Sequence, residues 1–130
     1  MMDIRLFKEM LAIDSTSGRE GELADFLAGR LKTEHNEVKR FEGVQNVMVS
    51  WGQPRVVFCT HLDTVPLYIA PEFGAGKVSG RGTCDAKGQI FAMWEACKAL
   101  EAKGYDGFGL LLLVGEETGS YGAKAFREQH

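Results

Sequence analysis

Apolar residues recur along the chain in two rhythms, and their alternation predicts an α/β fold. Ile4, Phe7 and Leu11 fall at helical spacing behind Asp3, a good N-cap residue, so a first helix is expected to run to about Ile13. Asp14-Ser15-Thr16-Ser17-Gly18 then breaks the pattern. Ser17 followed by Glu20 has the spacing of a capping box, and Leu23, Phe26, Leu27 and Leu31 supply the apolar stripe of a second helix. Strand-like segments follow at 46–51 and 55–60, separated by the turn signal Gly52-Gln53-Pro54. Val56-Val57-Phe58-Cys59 is apolar without alternation, as expected of a strand covered on both faces.

After a Gly-rich loop, a third helix is expected from about Lys87. Its stripe of Ile90, Met93, Trp94, Cys97 and Leu100 reads as core. Residues 108–114 form another apolar strand, followed by a Gly-rich turn and a short helix from about Tyr121. Strands interleaved with helices predict a three-layer α/β domain, with a mixed, mostly parallel sheet flanked by helices. In such sheets ligands bind beyond the carboxyl ends of the strands, and the polar clusters of this chain lie there.

Bulk properties narrow the partners more than the chemistry. The 130 residues are enough for one core, and no repeat, linker or composition shift divides them. Fifteen basic and eighteen acidic residues are mixed along the chain, for a net charge of -3. No basic stripe argues for nucleic acid or an anionic membrane surface. The first residues lack the layout of a signal peptide, and the longest apolar run, 110–114, is too short to span a bilayer. Three cysteines without CxxC spacing argue against a disulfide frame, so a reduced, cytoplasmic setting is expected.

Three clusters carry candidate chemistry. In Thr60-His61-Leu62-Asp63-Thr64-Val65-Pro66, His61 and Asp63 face the same way along an extended chain. That is the pairing of a metal-ligating imidazole with the carboxylate that fixes its tautomer, although alone it also fits a structural histidine. In Ser79-Gly80-Arg81-Gly82-Thr83-Cys84-Asp85-Ala86-Lys87-Gly88, Asp85 is either the N-cap of the third helix or a carboxylate able to bridge two cations. The Gly and Lys spacing is not that of a P-loop. In Val114-Gly115-Glu116-Glu117-Thr118-Gly119-Ser120, adjacent glutamates would repel if both were ionised in a close site. A dication relieves that conflict by taking one carboxylate as a ligand and leaving the other as a base; the alternative is a solvated turn. One imidazole with several carboxylates suits zinc, with cobalt or manganese as substitutes.

Taken in this order, the motifs resemble the metallopeptidase family of aminoacylase, acetylornithine deacetylase, succinyl-diaminopimelate desuccinylase and carboxypeptidase G. Its pattern is His-x-Asp-x-Val-Pro, then Gly-Arg-Gly-x-x-Asp-x-Lys-Gly, then Glu-Glu-x-Gly-Ser. The resemblance implies a zinc-exopeptidase-like catalytic domain that holds two zinc ions and hydrolyses an amide bond in an N-acyl amino acid or small peptide. It implies that His61 and Glu117 each ligate one metal, and that Asp85 bridges the two. Asp63 would orient His61, and Glu116 would act as general base and acid. It also implies a cis peptide between Asp85 and Ala86.

Two departures stand out. Relatives usually carry Asp where Gly115 stands, which puts a supporting contact in doubt. They are also more than twice as long, with further metal ligands and a lid through which the full-length form is a homodimer. The chain therefore reads as an N-terminal portion of one catalytic domain, residues 1–130, and is expected to be inactive alone. His35 and His130 match no ligand position and read as surface residues. Two other readings compete: a silent truncated metal-binding module, and a cysteine hydrolase pairing Cys59 with His61 or Cys84 with Asp85. The second conflicts with the burial expected of Cys59.

Overall fold

The computed structural model describes residues 2–129, and its first helix begins where the N-cap predicts. The Asp3 carboxylate accepts a hydrogen bond from the Leu6 amide at the start of α1 (Ile4–Leu11). The helix stops short of Ile13 because the chain there is needed elsewhere. The Ile13 carbonyl accepts a hydrogen bond from the buried Lys87 ammonium at 2.5 Å, and Thr16 makes a parallel bridge to Thr64. Burial outweighs the attraction of the Asp14 charge and pulls Lys87 down to about 8. The second helix, α2 (Gly21–Arg30), starts at Glu20 with no side-chain cap, so Ser17 and Glu20 do not form the expected capping box.

The strands are β1 (Glu37–Arg40), β2 (Val47–Trp51), β3 (Val56–His61), the small hairpin β4 (Glu72–Gly74) with β5 (Lys77–Ser79), and β6 (Phe108–Leu113). The main sheet runs β1-β2-β6-β3 and is mixed. Its parallel pairing joins β3 to β6, while β1·β2 and β2·β6 are antiparallel. Parallel neighbours need a crossover, and α3 (Lys87–Ala102) lies between them in the chain. Neither β1, a polar Glu-Val-Lys-Arg run, nor the β4–β5 hairpin is signalled by apolar periodicity.

Alternation along the strands sorts the core into two layers. Val47, Val49, Trp51, Leu110 and Leu112 face Leu6, Met10, Leu23, Leu27, Ile90 and Trp94 of α1, α2 and α3. Met48 and Leu111 face the other way and pack with Phe41, Leu113 and Phe126 of α4 (Tyr121–Gln129). The α3 stripe behaves as core, with Ile90, Trp94 and Cys97 buried and Met93 and Leu100 partly so.

The coverage expected for β3 is not found. Val56 is 59% and Val57 41% exposed, and Cys59 is exposed as well. β3 is an edge strand of the sheet, and the cluster under α4 reaches only as far as β6. No helix among the described residues is long and apolar enough to cross a membrane.

Asn46 ties the sheet to the last helix. Its side-chain oxygen accepts from the Val114 amide at 3.0 Å, and its nitrogen donates to the Gly122 carbonyl at 2.9 Å, all of it buried. Asn46→Ala takes from the buried Val114 amide its side-chain acceptor and unties the strand from the helix, so it should cost about 1–3 kcal/mol. The check is a lower urea midpoint at unchanged slope.

Candidate metal centre

The parallel register of β3 and β6 sets His61 opposite Leu113, so both strands deliver their following loops to one place. The Leu62 amide donates to the Leu113 carbonyl at 2.7 Å and carries the pairing one step further. Gly115 and Gly119, both left-handed, then bracket a single 3-10 turn over Glu116–Thr118. That turn points two consecutive amides at Asp63. Glu116 N donates to Oδ1 and Glu117 N to Oδ2, each at 3.0 Å.

Asp63 is completely buried and serves as a hub. Besides the two amides, its Oδ2 accepts from the Ser17 hydroxyl at 2.6 Å. His61 Nδ1 lies 2.7 Å from the Asp63 carbonyl oxygen and 3.2 Å from Oδ1. Burial opposes ionisation here, but these hydrogen bonds outweigh it and hold the carboxyl down at about 2.

With Nδ1 held against Asp63, His61 presents Nε2 outward into a ring of acids. Asp85 Oδ1 lies 2.8 Å away, Glu116 Oε2 3.6 Å and Glu117 Oε1 3.8 Å. Asp85 does not cap α3; the N-cap position is Ala86, and no side chain caps it. The Asp85–Ala86 peptide is cis, as the resemblance implies. The preceding loop doubles back so tightly that a β-carbon at Gly88 would overlap the Thr83 carbonyl oxygen.

Burial works against a charged imidazole, yet bonding to Asp63 and Asp85 outweighs it and lifts His61 to about 9. Glu117 is raised too, first by burial and then by Glu116 and Asp85 beside it. Three carboxylates around one imidazole leave the site short of positive charge. One donor atom each from His61, Asp85 and Glu117 lies within 4.8 Å of the others, and this mixed N/O set fits a divalent cation such as zinc. Cys59 is exposed, so burial does not argue against its pairing with His61, but both His61 ring nitrogens are already engaged, by Asp63 and Asp85. His35 is exposed, as expected, and His130 lies outside the described residues.

Sequence reasoning missed two residues that build this site. Ser17 donates to Asp63, and buried Glu20 accepts from the Gly18 and Gly115 amides, each at 2.8 Å. Their capping-box spacing was a real signal with another meaning. Gly115 also acquires a reason, since a β-carbon there would fall within the ring of Tyr121.

Fold and site together define an α/β domain with a candidate metal centre beyond its strand ends. The chain belongs to the peptidase family M20/M25/M40, whose family model matches residues 57–130. It is 33% identical to a probable carboxypeptidase of Aspergillus clavatus, over 92% of this chain and 34% of that protein. A peptidase M20 domain-containing protein of Schizosaccharomyces pombe is 34% identical over 93% of this chain and 33% of its own length. Among solved structures, aminopeptidase PepT from Bacillus cereus superposes with a TM-score of 0.77 at 27% identity, covering 94% of this chain and 38% of that one. The chain thus spans about a third of the length of the curated relatives it matches.

Proposed function

We propose that this chain forms the metal-binding face of a dinuclear zinc hydrolase that cleaves an amide bond in short peptides or N-acyl amino acids. The observation that carries the reading is the convergence of Asp85, Glu116 and Glu117 on His61 Nε2, all within 4.0 Å. In this reading His61, Asp85 and Glu117 are the residues that would hold the metal. A zinc pair bound there supplies Lewis-acid polarisation of the scissile carbonyl and makes water more acidic.

The chain's own groups do the rest. Asp63 keeps the His61 proton on Nδ1, so that Nε2 is free to ligate. Glu116, with its side chain 47% exposed and its amide anchored on Asp63, takes a proton from the attacking water and returns it to the leaving amine. Peptides stand first among substrates because the relatives are named as peptidases. The loop wording Thr64-Val65-Pro66 and Cys84-Asp85-Ala86-Lys87-Gly88 keeps deacetylation of an N-acetyl amino acid as the second choice. We place the remaining ligands and the lid of a homodimer in the length of the relatives that this chain does not span, and expect turnover by this chain alone to be weak.

Proton release tests the reading. Since His61 is lifted to about 9, it is charged at pH 7 in the metal-free chain, and a metal on Nε2 must displace that proton. Calorimetry in buffers of different ionisation enthalpy should show about one proton released per chain at pH 7 as zinc binds. Affinity should climb between pH 6.5 and 9, while the metal-free chain loses over that same window the stability its charged His61 provides below it. Release that is absent, or unchanged in His61→Ala, contradicts the assignment.

A further inference from the structure

The loop between α1 and α2 touches the metal centre without offering it a donor atom. It docks beside residues 62–64 through backbone and short polar contacts. Ser15 Oγ donates to the Leu62 carbonyl at 2.8 Å, the Thr64 amide to the Ser15 carbonyl at 3.1 Å, and the Ser17 amide to the Thr64 carbonyl at 3.0 Å. Those bonds hold the loop. The Ser17 hydroxyl adds a contact of a different kind, donating at 2.6 Å to the Asp63 oxygen that also accepts the Glu117 amide.

We propose that Ser17 is a positioning residue of the metal centre: it locks the Asp63 carboxylate in the one orientation that holds His61 and the Glu116–Glu117 turn together. The inference rests on the metal-site reading above. The terminal torsion of an aspartate is soft, so backbone placement alone does not fix the carboxylate plane. Here four donors from three segments do: the imidazole of β3, the two amides of the 3-10 turn, and the hydroxyl of the first loop. Asp63 is fully buried, so no bulk water stands ready to replace a lost donor. A carboxylate that turns toward a new partner loosens Glu117 and His61 at once. Glu20 braces the same turn from the other side, bonding Gly18 in the loop and Gly115 before the turn. Loop and turn are therefore joined through two separate side chains.

Cobalt(II) titration of the whole chain, followed by its visible absorption and by zinc competition, tests this with Ser17→Ala, Ser17→Thr, His61→Ala and Thr33→Ala. Thr33 donates to Glu101 at the other end of α3 and controls for the general loss of a hydroxyl contact. Ser17→Ala should weaken cobalt binding about 10- to 100-fold and change the absorption envelope, as loss of a contact behind a ligand does. Ser17→Thr keeps the donor at a position that is only half-buried, so it should recover wild-type affinity within a few-fold; Thr33→Ala should bind as wild type. Wild-type binding by Ser17→Ala, or no rescue by threonine, overturns the proposal and leaves the metal site standing. Binding that survives His61→Ala unchanged brings down the metal-site reading instead. In that event amide exchange in the metal-free chain still decides about Ser17: Ser17→Ala should speed exchange at the Glu116 and Glu117 amides roughly 3- to 10-fold, and no change there refutes it.

Discussion

Asp63→Asn is expected to lower zinc affinity by about 100-fold or more and to destabilise the chain by about 2–3 kcal/mol. The exchange replaces one oxygen with a nitrogen and changes almost no volume, so the effect is purely one of hydrogen bonding and charge. Both carboxylate oxygens accept backbone amides, Oδ1 from Glu116 and Oδ2 from Glu117. Whichever way an asparagine amide is turned, its NH2 faces an N–H, and one pair becomes donor against donor. The substitution also removes the negative charge that steadies His61. In a completely buried position neither defect can be relieved by solvent. Urea unfolding and zinc calorimetry on the same preparation check the two effects. An Asp63→Asn chain that binds zinc like wild type would mean that Asp63 does not organise the site.

Gly115→Asp restores the residue the family pattern usually carries, and here it should destabilise the chain by about 2–4 kcal/mol. The backbone at Gly115 has φ +68°, which costs an L-residue something by itself, although aspartate tolerates it better than most. The greater cost is steric, because the new β-carbon falls within the Tyr121 ring at the start of α4. Gly115→Asp combined with Tyr121→Ala should therefore recover most of the loss, leaving about 1 kcal/mol of backbone strain. If the single variant unfolds at the wild-type urea concentration, the ring moves aside freely and the two positions are not coupled.

The elements with strong apolar rhythm were legible in the sequence: α1, α2, α3, the two strands β2 and β6, and the start of α4 lie where their stripes predict. β1 was not, because its side chains alternate only weakly and its place is set by pairing with β2. The β3 run looked buried on both faces, but composition cannot tell a central strand from an edge whose second face stays bare. At the candidate site, spacing and resemblance single out His61, Asp63, Asp85, Glu116 and Glu117, and the structure brings the five together. Ser17 and Glu20 could not, since their partners lie 46 and 95 residues away and a local motif already accounted for their spacing. Gly115 read as a lost contact until Tyr121 was seen to occupy the space.

The most direct test of the account is zinc bound per chain, measured by elemental analysis after dialysis and by calorimetry, for wild type and the His61→Ala/Asp85→Ala double variant. Circular dichroism should show the same fold for both. The account predicts that wild type retains zinc and the double variant does not, because the two residues whose side chains meet at 2.8 Å are gone. Equal zinc binding by the two proteins would contradict it, and would move the metal away from the ends of β3 and β6.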